Sequence, residues 1–239
     1  MSHKSTDLSS GADRKHFIRG MFDEIAGRYD LLNRLLTFGR DRYWRRELVR
    51  LLDPQPRERA LDLACGTGDQ GRALLDSEPG VHLVGADPVS GMLRLAGGKI
   101  PAAGLVCCEA EALPFPAHSF QLITVAFGVR NFTILEASLK ELHRVLAPGG
   151  RLGVLEFAVP RSGPLAPLYR WYMTWVLPRV GGLLSRSYAY RYLTESIEQF
   201  PDPDRFIRLL QSIGFSGIAT RNFLGGTVWI YKGIKNGEN

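Results

Sequence analysis

No stretch of the 239-residue chain approaches roughly 18 uninterrupted apolar positions, so a bilayer-spanning helix is not expected. The opening stretch, MSHKSTDLSSGADRKH, has no apolar core of the kind a secretory leader needs. Cysteine is scarce. Cys65, Cys107 and Cys108 are odd in number, and two are adjacent, which excludes a disulfide framework and fits a reducing cytoplasm. Histidine is also sparse, and His82, His118 and His143 fall at a strand start, a turn and a helix. None stands at metal-ligand spacing, so no metal is expected. The G-x-S-x-G signature of hydrolytic nucleophiles is absent. Acid is missing from one whole segment: Arg161 to Arg191 holds five arginines and no Asp or Glu.

What is present describes a globular protein: 45% hydrophobic residues, 23% charged residues and 26 glycines. A net charge of +6 and a pI near 9.4 permit an anionic partner. In the acid-free segment the arginines alternate with Tyr169, Trp171, Tyr172, Trp175, Tyr188 and Tyr190. Arginine with aromatics suits RNA stacking, a membrane surface or a greasy substrate mouth. It equally suits a helical subdomain packing its rings inward.

Residues 1–12 read as a flexible tail, and 13–239 as one domain. Within it, 13–52 are expected to be helical, with breaks at Gly27 and Gly39 and an end at Asp53-Pro54. From Ala60 strand-like runs alternate with helical ones: ALDLAC, VHLVGAD, AGLVCC, FQLITVAF, RLGVLEF, FSGIAT and TVWIYK. That alternation predicts an α/β fold, a doubly wound, mostly parallel seven-stranded sheet covered by helices. A helix over 131–146 is stopped by Pro148-Gly149-Gly150. Residues 60–158 form the expected cofactor-binding core, 161–200 a helical insertion after the fifth strand, and 201–234 a closing helix and strands.

The stretch LDLACGTGDQG runs from a strand into a loop fitting G-x-G-x-x-G through Gly66, Gly68 and Gly71. Glycines there allow a tight turn and close ligand approach. The pattern alone fits either a dinucleotide or a nucleoside cofactor. Asp87, ending the second strand, stands where a ribose-binding acid is expected. Asp62 before the loop and Asp69 after it tip the balance. Pyrophosphate avoids negative neighbours, whereas a sulfonium and an α-ammonium seek them.

At this point the sequence resembles a known family. LDLACGTGDQG, GADPVSGML, EALPFPAHSFQLIT, FGVRNF, RVLAPGGRLGVLEF, AYRYLTESIEQFPD and FLGGTVWIYKG are together similar to the quinone C-methyltransferases. The similarity extends to the opening MFDEIAGRYDLLNRLLTFGRDRYWRR and covers nearly all of residues 20–234. It implies a Rossmann-like class I fold, S-adenosylmethionine as cofactor, and ring methylation of a polyprenylated quinol. Demethylmenaquinol is the first substrate implied, and a methoxybenzoquinol of ubiquinone synthesis the second. Cofactor contacts then fall on Thr67, Asp87, Glu109, Ala110 and Ala126, beside Asp62, Gly66 and Gly68 of the loop. Glu109 stands where Asn or Asp is usual, and Ala126 where Ser is common. One missing neutral hydrogen bond costs about 0.5–1.5 kcal/mol, too little to abolish binding.

The chemistry requires a carbon nucleophile. A ring phenol with a pKa of about 10 costs roughly 4 kcal/mol to ionise at pH 7. The resemblance puts Arg130 and Asn131 at the reaction centre. Arg130 is expected to act as a fixed cation holding the phenolate and not as a base, since its pKa exceeds about 12. Asn131 is expected to orient the ring oxygen or to cap the next helix. Tyr29 and Asp30, in GRYD, are implied to complete the pocket. Leu165, Leu168, Trp171, Trp175, Leu183 and Leu184 would line an entrance for the tail, with nearby arginines on anionic headgroups at the inner membrane face. Self-association is left open. An RNA-binding or RNA-modifying protein is the alternative from another class; against it, the arginines lie on segments that would cover a small-molecule cleft. A dinucleotide oxidoreductase is the third reading.

Overall fold

The structure is a computed structural model and describes residues 11–160 and 187–237. Residues 1–10 of the expected tail 1–12 lie outside them, while Gly11 and Ala12 begin the first helix; 161–186, which carries all six residues expected to line the tail entrance, also lies outside.

The expected helical opening is three helices: α1 (Gly11–Ile25), α2 (Tyr29–Leu36) and α3 (Asp41–Leu52). Both breaks fall at the predicted glycines. Gly27 lies in a 3-10 turn, and Gly39 turns with a φ of +71°. α3 stops where Asp53 enters the left-handed region (φ 51°), ahead of Pro54. Next come β1 (Arg59–Leu63), α4 (Asp69–Ser77), β2 (His82–Ala86), α5 (Ser90–Lys99), β3 (Gly104–Val106) and β4 (Phe120–Ala126). The chain continues through α6 (Leu135–Val145), β5 (Leu146–Phe157), α7 (Ser187–Gln199), α8 (Pro203–Ile213), β6 (Phe215–Phe223) and β7 (Val228–Lys235).

All seven expected strands occur and form one sheet in the order β3-β2-β1-β4-β5-β7-β6. β1 to β5 run parallel, and β7 runs antiparallel to both β5 and β6. The helix expected over 131–146 starts four residues later, because residues 129–131 form a separate 3-10 turn. α8 carries its own punctuation. Asp202 accepts the backbone N–H of Arg205 at 3.0 Å, Pro203 opens the helix, and Gly214 ends it at φ +112°.

Side-chain alternation along the strands divides the core in two. Leu61, Leu63, Ile123, Val125 and Val154 pack with α6 and α8 on one face. Ala60, Leu122, Ala126 and Leu155 pack on the other with Trp44, Leu48 and Leu52, one stripe of α3. Gly153 admits that stripe, since a Cβ there would lie 2.5 Å from Leu52 Cδ1. Asp62 and Thr124 share parity with Ala60 and Leu122 and therefore point under α3 and α4. The strand order reverses direction between β1 and β4, which opens a crevice at their carboxyl ends, where ligands bind in doubly wound sheets.

Candidate active site

The crevice begins where β1 and β4 end in unusual backbone. Ala64 (φ 54°) and Phe127 (φ 60°) both occupy the left-handed region, which disfavours residues with a Cβ by about 1–2 kcal/mol. They are held there by packing. Phe127 stacks on Phe157 at 4.5 Å between ring centroids, and a Cβ on Gly128 would come within 2.5 Å of the Ala64 Cβ. Gly66 (φ 54°) and Gly68 (φ 89°) complete the turn into α4. Asp87 fastens this loop to the end of β2. Its Oδ2 accepts the Gly66 N–H and its Oδ1 the Val89 N–H, both at 2.9 Å. Each oxygen keeps a second lone pair for a ligand hydroxyl. Burial pushes the Asp87 carboxyl up to about 6, against the opposing pull of those two N–H donors.

Ala64, Gly66, Asp87, Phe127 and Gly128 line a cleft of about 740 Å³ counted to its open mouth, together with Tyr29, Met92, Ala110 and Asn131, whereas Gly68 lies outside the lining. The α1 helix closes one side. Its Lys15 meets Glu111 at 3.1 Å and Glu109 at 3.8 Å, and its Arg19 pairs with Glu109. Glu111 also accepts the N–H groups of Thr133 and Ile134, so its carboxyl sits below the ordinary range although burial opposes this. Three carboxylates, Asp87, Glu109 and Glu111, thus face two cations across the cleft. This set, with a bare bent backbone, fits a positively charged nucleoside better than a pyrophosphate.

A second cavity adjoins the first, and Tyr29 lines both. Its walls are Met21, Phe22, Ile25, Leu32, Leu36 and Leu193, and Asn33 and Arg130 supply its polar lining with Tyr29. The Arg130 side chain is 6% exposed. Its Nη1 donates to Glu156 Oε1 at 2.6 Å and to the Phe127 carbonyl at 2.7 Å, and its guanidinium carbon lies 5.7 Å from the Phe157 ring centre. Glu156, fully buried on β5, also accepts the backbone N–H groups of Arg130 and Phe157. Burial alone would lower the guanidinium pKa. The Glu156 carboxylate, aided by Tyr29 and Tyr192, outweighs it and raises the value, so Arg130 keeps its proton. One donor, the buried Nε, has no acceptor among the described residues. Beside it, Tyr192 of α7 donates its hydroxyl hydrogen to Asn131 Oδ1 at 3.0 Å.

Several expected site residues lie elsewhere. Asp62 does not face the cleft. It is fully buried below the loop, accepts the Thr124 hydroxyl at 2.9 Å, and is pushed up to about 7 by burial. Strand parity is the reason: a residue on the same side as Ala60 is covered by helices before any ligand reaches it. Ala126 follows the same parity into the core, and the wall there is Phe127 and Gly128. Thr67 is 3% exposed and donates to Asp30 Oδ1 at 2.6 Å. Lys99 binds Thr67 Oγ1, Asp30 and Asp69 at 2.9, 2.5 and 2.5 Å. Asp30 is therefore a strut joining α2 to the loop, outside the lining of either cavity, and Asp69 is neutralised. Asn131 does not cap α6, whose N-cap is Ile134. Tyr29, Arg130 and Asn131 do converge, and Gly66, Asp87, Glu109 and Ala110 line the cleft. Glu156 and Tyr192 were not anticipated. An acid inside the apolar run RLGVLEF was the available signal for Glu156; Tyr192 had none beyond its place in YRYLTESI.

Among the described residues no helix is long and apolar enough to cross a membrane, and no cluster could hold a metal. Comparison with known proteins gives a consistent result. The chain is 51% identical over 201 residues to a demethylmenaquinone methyltransferase of Thermus thermophilus, covering 82% of this chain and 91% of that one. It is 45% identical over 222 residues to the ubiquinone/menaquinone biosynthesis C-methyltransferase UbiE of Syntrophotalea carbinolica, covering 91% and 94%. Among solved structures, a SAM-dependent methyltransferase of Thermotoga maritima, a possible histamine N-methyltransferase, superposes with a TM-score of 0.66. At 18% identity, over 91% of this chain and 99% of that one, it supports the class I methyltransferase fold. The profile of the ubiE/COQ5 methyltransferase family matches residues 9–235, and the chain belongs to that family.

Proposed function

We propose that the protein is an S-adenosylmethionine-dependent C-methyltransferase that methylates the ring of a polyprenylated quinol, converting demethylmenaquinol to menaquinol. The Thermus relative's name supports the menaquinone substrate. The observation that carries the reaction is the buried Arg130, held charged by Glu156, at the edge of an apolar cavity next to the acid-lined cleft.

Asp87 would hold the ribose of the cofactor through its free lone pairs, and the turn at Gly66 would let the nucleoside lie against bare backbone. Ala110 and Glu109 form the wall beyond the ribose. Bound S-adenosylmethionine supplies an electrophilic methyl group on a sulfonium. The adjoining cavity receives the quinol ring. Its apolar walls would exclude water from the ring and from the start of the tail.

Arg130 and Glu156 form a pair with no net charge, so their long-range field on the ring oxygen is small. What Arg130 offers is a charge-assisted hydrogen bond from the guanidinium that lines the cavity. Such a bond contributes about 1.5–3 kcal/mol towards the roughly 4 kcal/mol needed to ionise a phenol at pH 7. Water or a carboxylate takes the proton, which an arginine held charged by Glu156 cannot do. Asn131, fixed by the Tyr192 hydroxyl, orients the second contact to the ring oxygen. Tyr29, shared by both cavities, would sit where ring and cofactor meet. The Syntrophotalea relative's name supports a second substrate of the same kind, a methoxybenzoquinol of ubiquinone synthesis.

The test is incubation with isotopically labelled S-adenosylmethionine and a short-tailed reduced demethylnaphthoquinone, followed by mass spectrometry. Label on the ring carbon is expected. Label on oxygen, or none, contradicts the assignment.

A further inference from the structure

A groove of about 1440 Å³, counted to its open mouth as for the cleft, lies among α2, α3, α4 and α5 and shares no lining residue with the cleft or its adjoining cavity. Arg34, Arg42, Arg45, Arg46, Arg50 and Arg72 line it with Lys99, against only two carboxylates, Asp69 and Asp76. Both carboxylates are already engaged, Asp69 by Lys99 at 2.5 Å and Asp76 by Arg72 at 2.7 Å. Arg50 is taken by Glu47 at 2.7 Å. Arg34, Arg42, Arg45 and Arg46 make no ion pair or side-chain hydrogen bond among the described residues.

Arg45 is the informative member. It is 6% exposed, its buried Nε has no acceptor among the described residues, and its guanidinium carbon stands 5.3 Å from the Phe127 ring centre. Asp62 and Asp69 lie within its electrostatic reach, yet neither accepts a hydrogen bond from it. A nearly buried guanidinium that lines a groove and forms no ion pair among the described residues leaves charge there for an anion to neutralise. Arg34, Arg42 and Arg46, exposed around the same groove, add like charges that an anion would relieve.

We infer that this groove binds a phosphate-bearing anion. Guanidinium groups match phosphate oxygens in paired, two-point hydrogen bonds, and several cations around one groove select a multiply charged group. The phosphate can belong to a soluble diphosphate or to an anionic lipid headgroup. Leu31 and Leu35, 54% and 45% exposed on the helix that carries Arg34, give a lipid its apolar neighbours.

Calorimetric titration of the full chain with sodium pyrophosphate at low salt tests the site. A single set of sites is expected, weakened at least tenfold in the surface variant R42E/R46E and in R45Q. No binding, or equal affinity in R42E/R46E, overturns the inference; that variant changes only exposed side chains, so misfolding does not obscure the result. Vesicles of phosphatidylglycerol against phosphatidylcholine identify the source. Flotation with the anionic vesicles, released by pyrophosphate, assigns the headgroup. Pyrophosphate binding without flotation assigns a soluble ligand, and both uphold a phosphate site. Ring methylation of a short-tailed quinol is expected to persist in R42E/R46E, which keeps this test separate from that of the proposed reaction.

Discussion

Glu156 Oε1 accepts a 2.6 Å hydrogen bond from Arg130 Nη1, and neither side chain is more than 6% exposed. The pair joins the end of β5 to the turn after β4, and so couples the sheet to the proposed reaction centre. Removing one partner strands a charge in the core. Glu156→Leu is expected to cost about 3–5 kcal/mol in urea denaturation. Adding Arg130→Met should recover most of that loss, because apolar groups of similar size replace a buried pair at little cost. A double variant as unstable as Glu156→Leu alone would show that the pair is not the source of the effect.

The raised carboxyl of Asp87, about 6, sets a pH dependence of cofactor binding. Only the ionised form presents acceptor lone pairs alone to the ribose hydroxyls. Affinity for S-adenosylhomocysteine is expected to fall as pH drops through 6, approaching about tenfold per unit below it. For folding the sign is reversed. A carboxyl whose folded pKa exceeds its unfolded value of about 4 holds an extra proton in the native state between those values. Its contribution to stability is greatest below 4 and is lost as pH rises through 6. Calorimetry from pH 5 to 8 on wild type and Asp87→Asn checks both, since the variant should flatten each profile.

How much of this was readable from the chain varies with the range of the interaction. The strands, the breaks at Gly27 and Gly39, and the Asp202-Pro203 start of α8 are local signals and lie in the sequence. So is Asp87, which needs only its place at a strand end. Asp62, expected beside the cofactor, points away from the cleft lining: its strand parity puts it under the helices, where it meets Thr124, 62 residues away. Asp30, expected to complete the pocket, is engaged by Lys99 of α5, a contact that forms only in the assembled fold. Glu156 and Tyr192 meet Arg130 and Asn131 only after the sheet assembles. The acid-rich surroundings expected of the cofactor are present, but Glu109 and Glu111 supply them alongside Asp87.

Two glycines of opposite character test the packing of the cleft. A methyl group on Gly128 would lie 2.5 Å from the Ala64 Cβ and force the ends of β1 and β4 apart. Gly128→Ala is expected to cost about 1–3 kcal/mol and to weaken S-adenosylhomocysteine binding. Gly98, within α5, has nothing within 4 Å of its Cβ position. Gly98→Ala should stabilise the protein by about 0.4–1 kcal/mol and leave binding unchanged. Thermal unfolding of the two variants distinguishes them by sign.

The most direct test of the reaction centre separates cofactor affinity from turnover in an arginine-free enzyme. Arg130→Met combined with Glu156→Leu avoids a stranded carboxylate and preserves the fold. S-adenosylhomocysteine affinity is expected to stay within about twofold of wild type, because Arg130 lies outside the lining of the main cleft. Methyl transfer to the short-tailed quinol should fall by about a hundredfold or more. Turnover close to wild type would remove Arg130 from the chemistry, and a parallel loss of cofactor binding would place its role in the cofactor site.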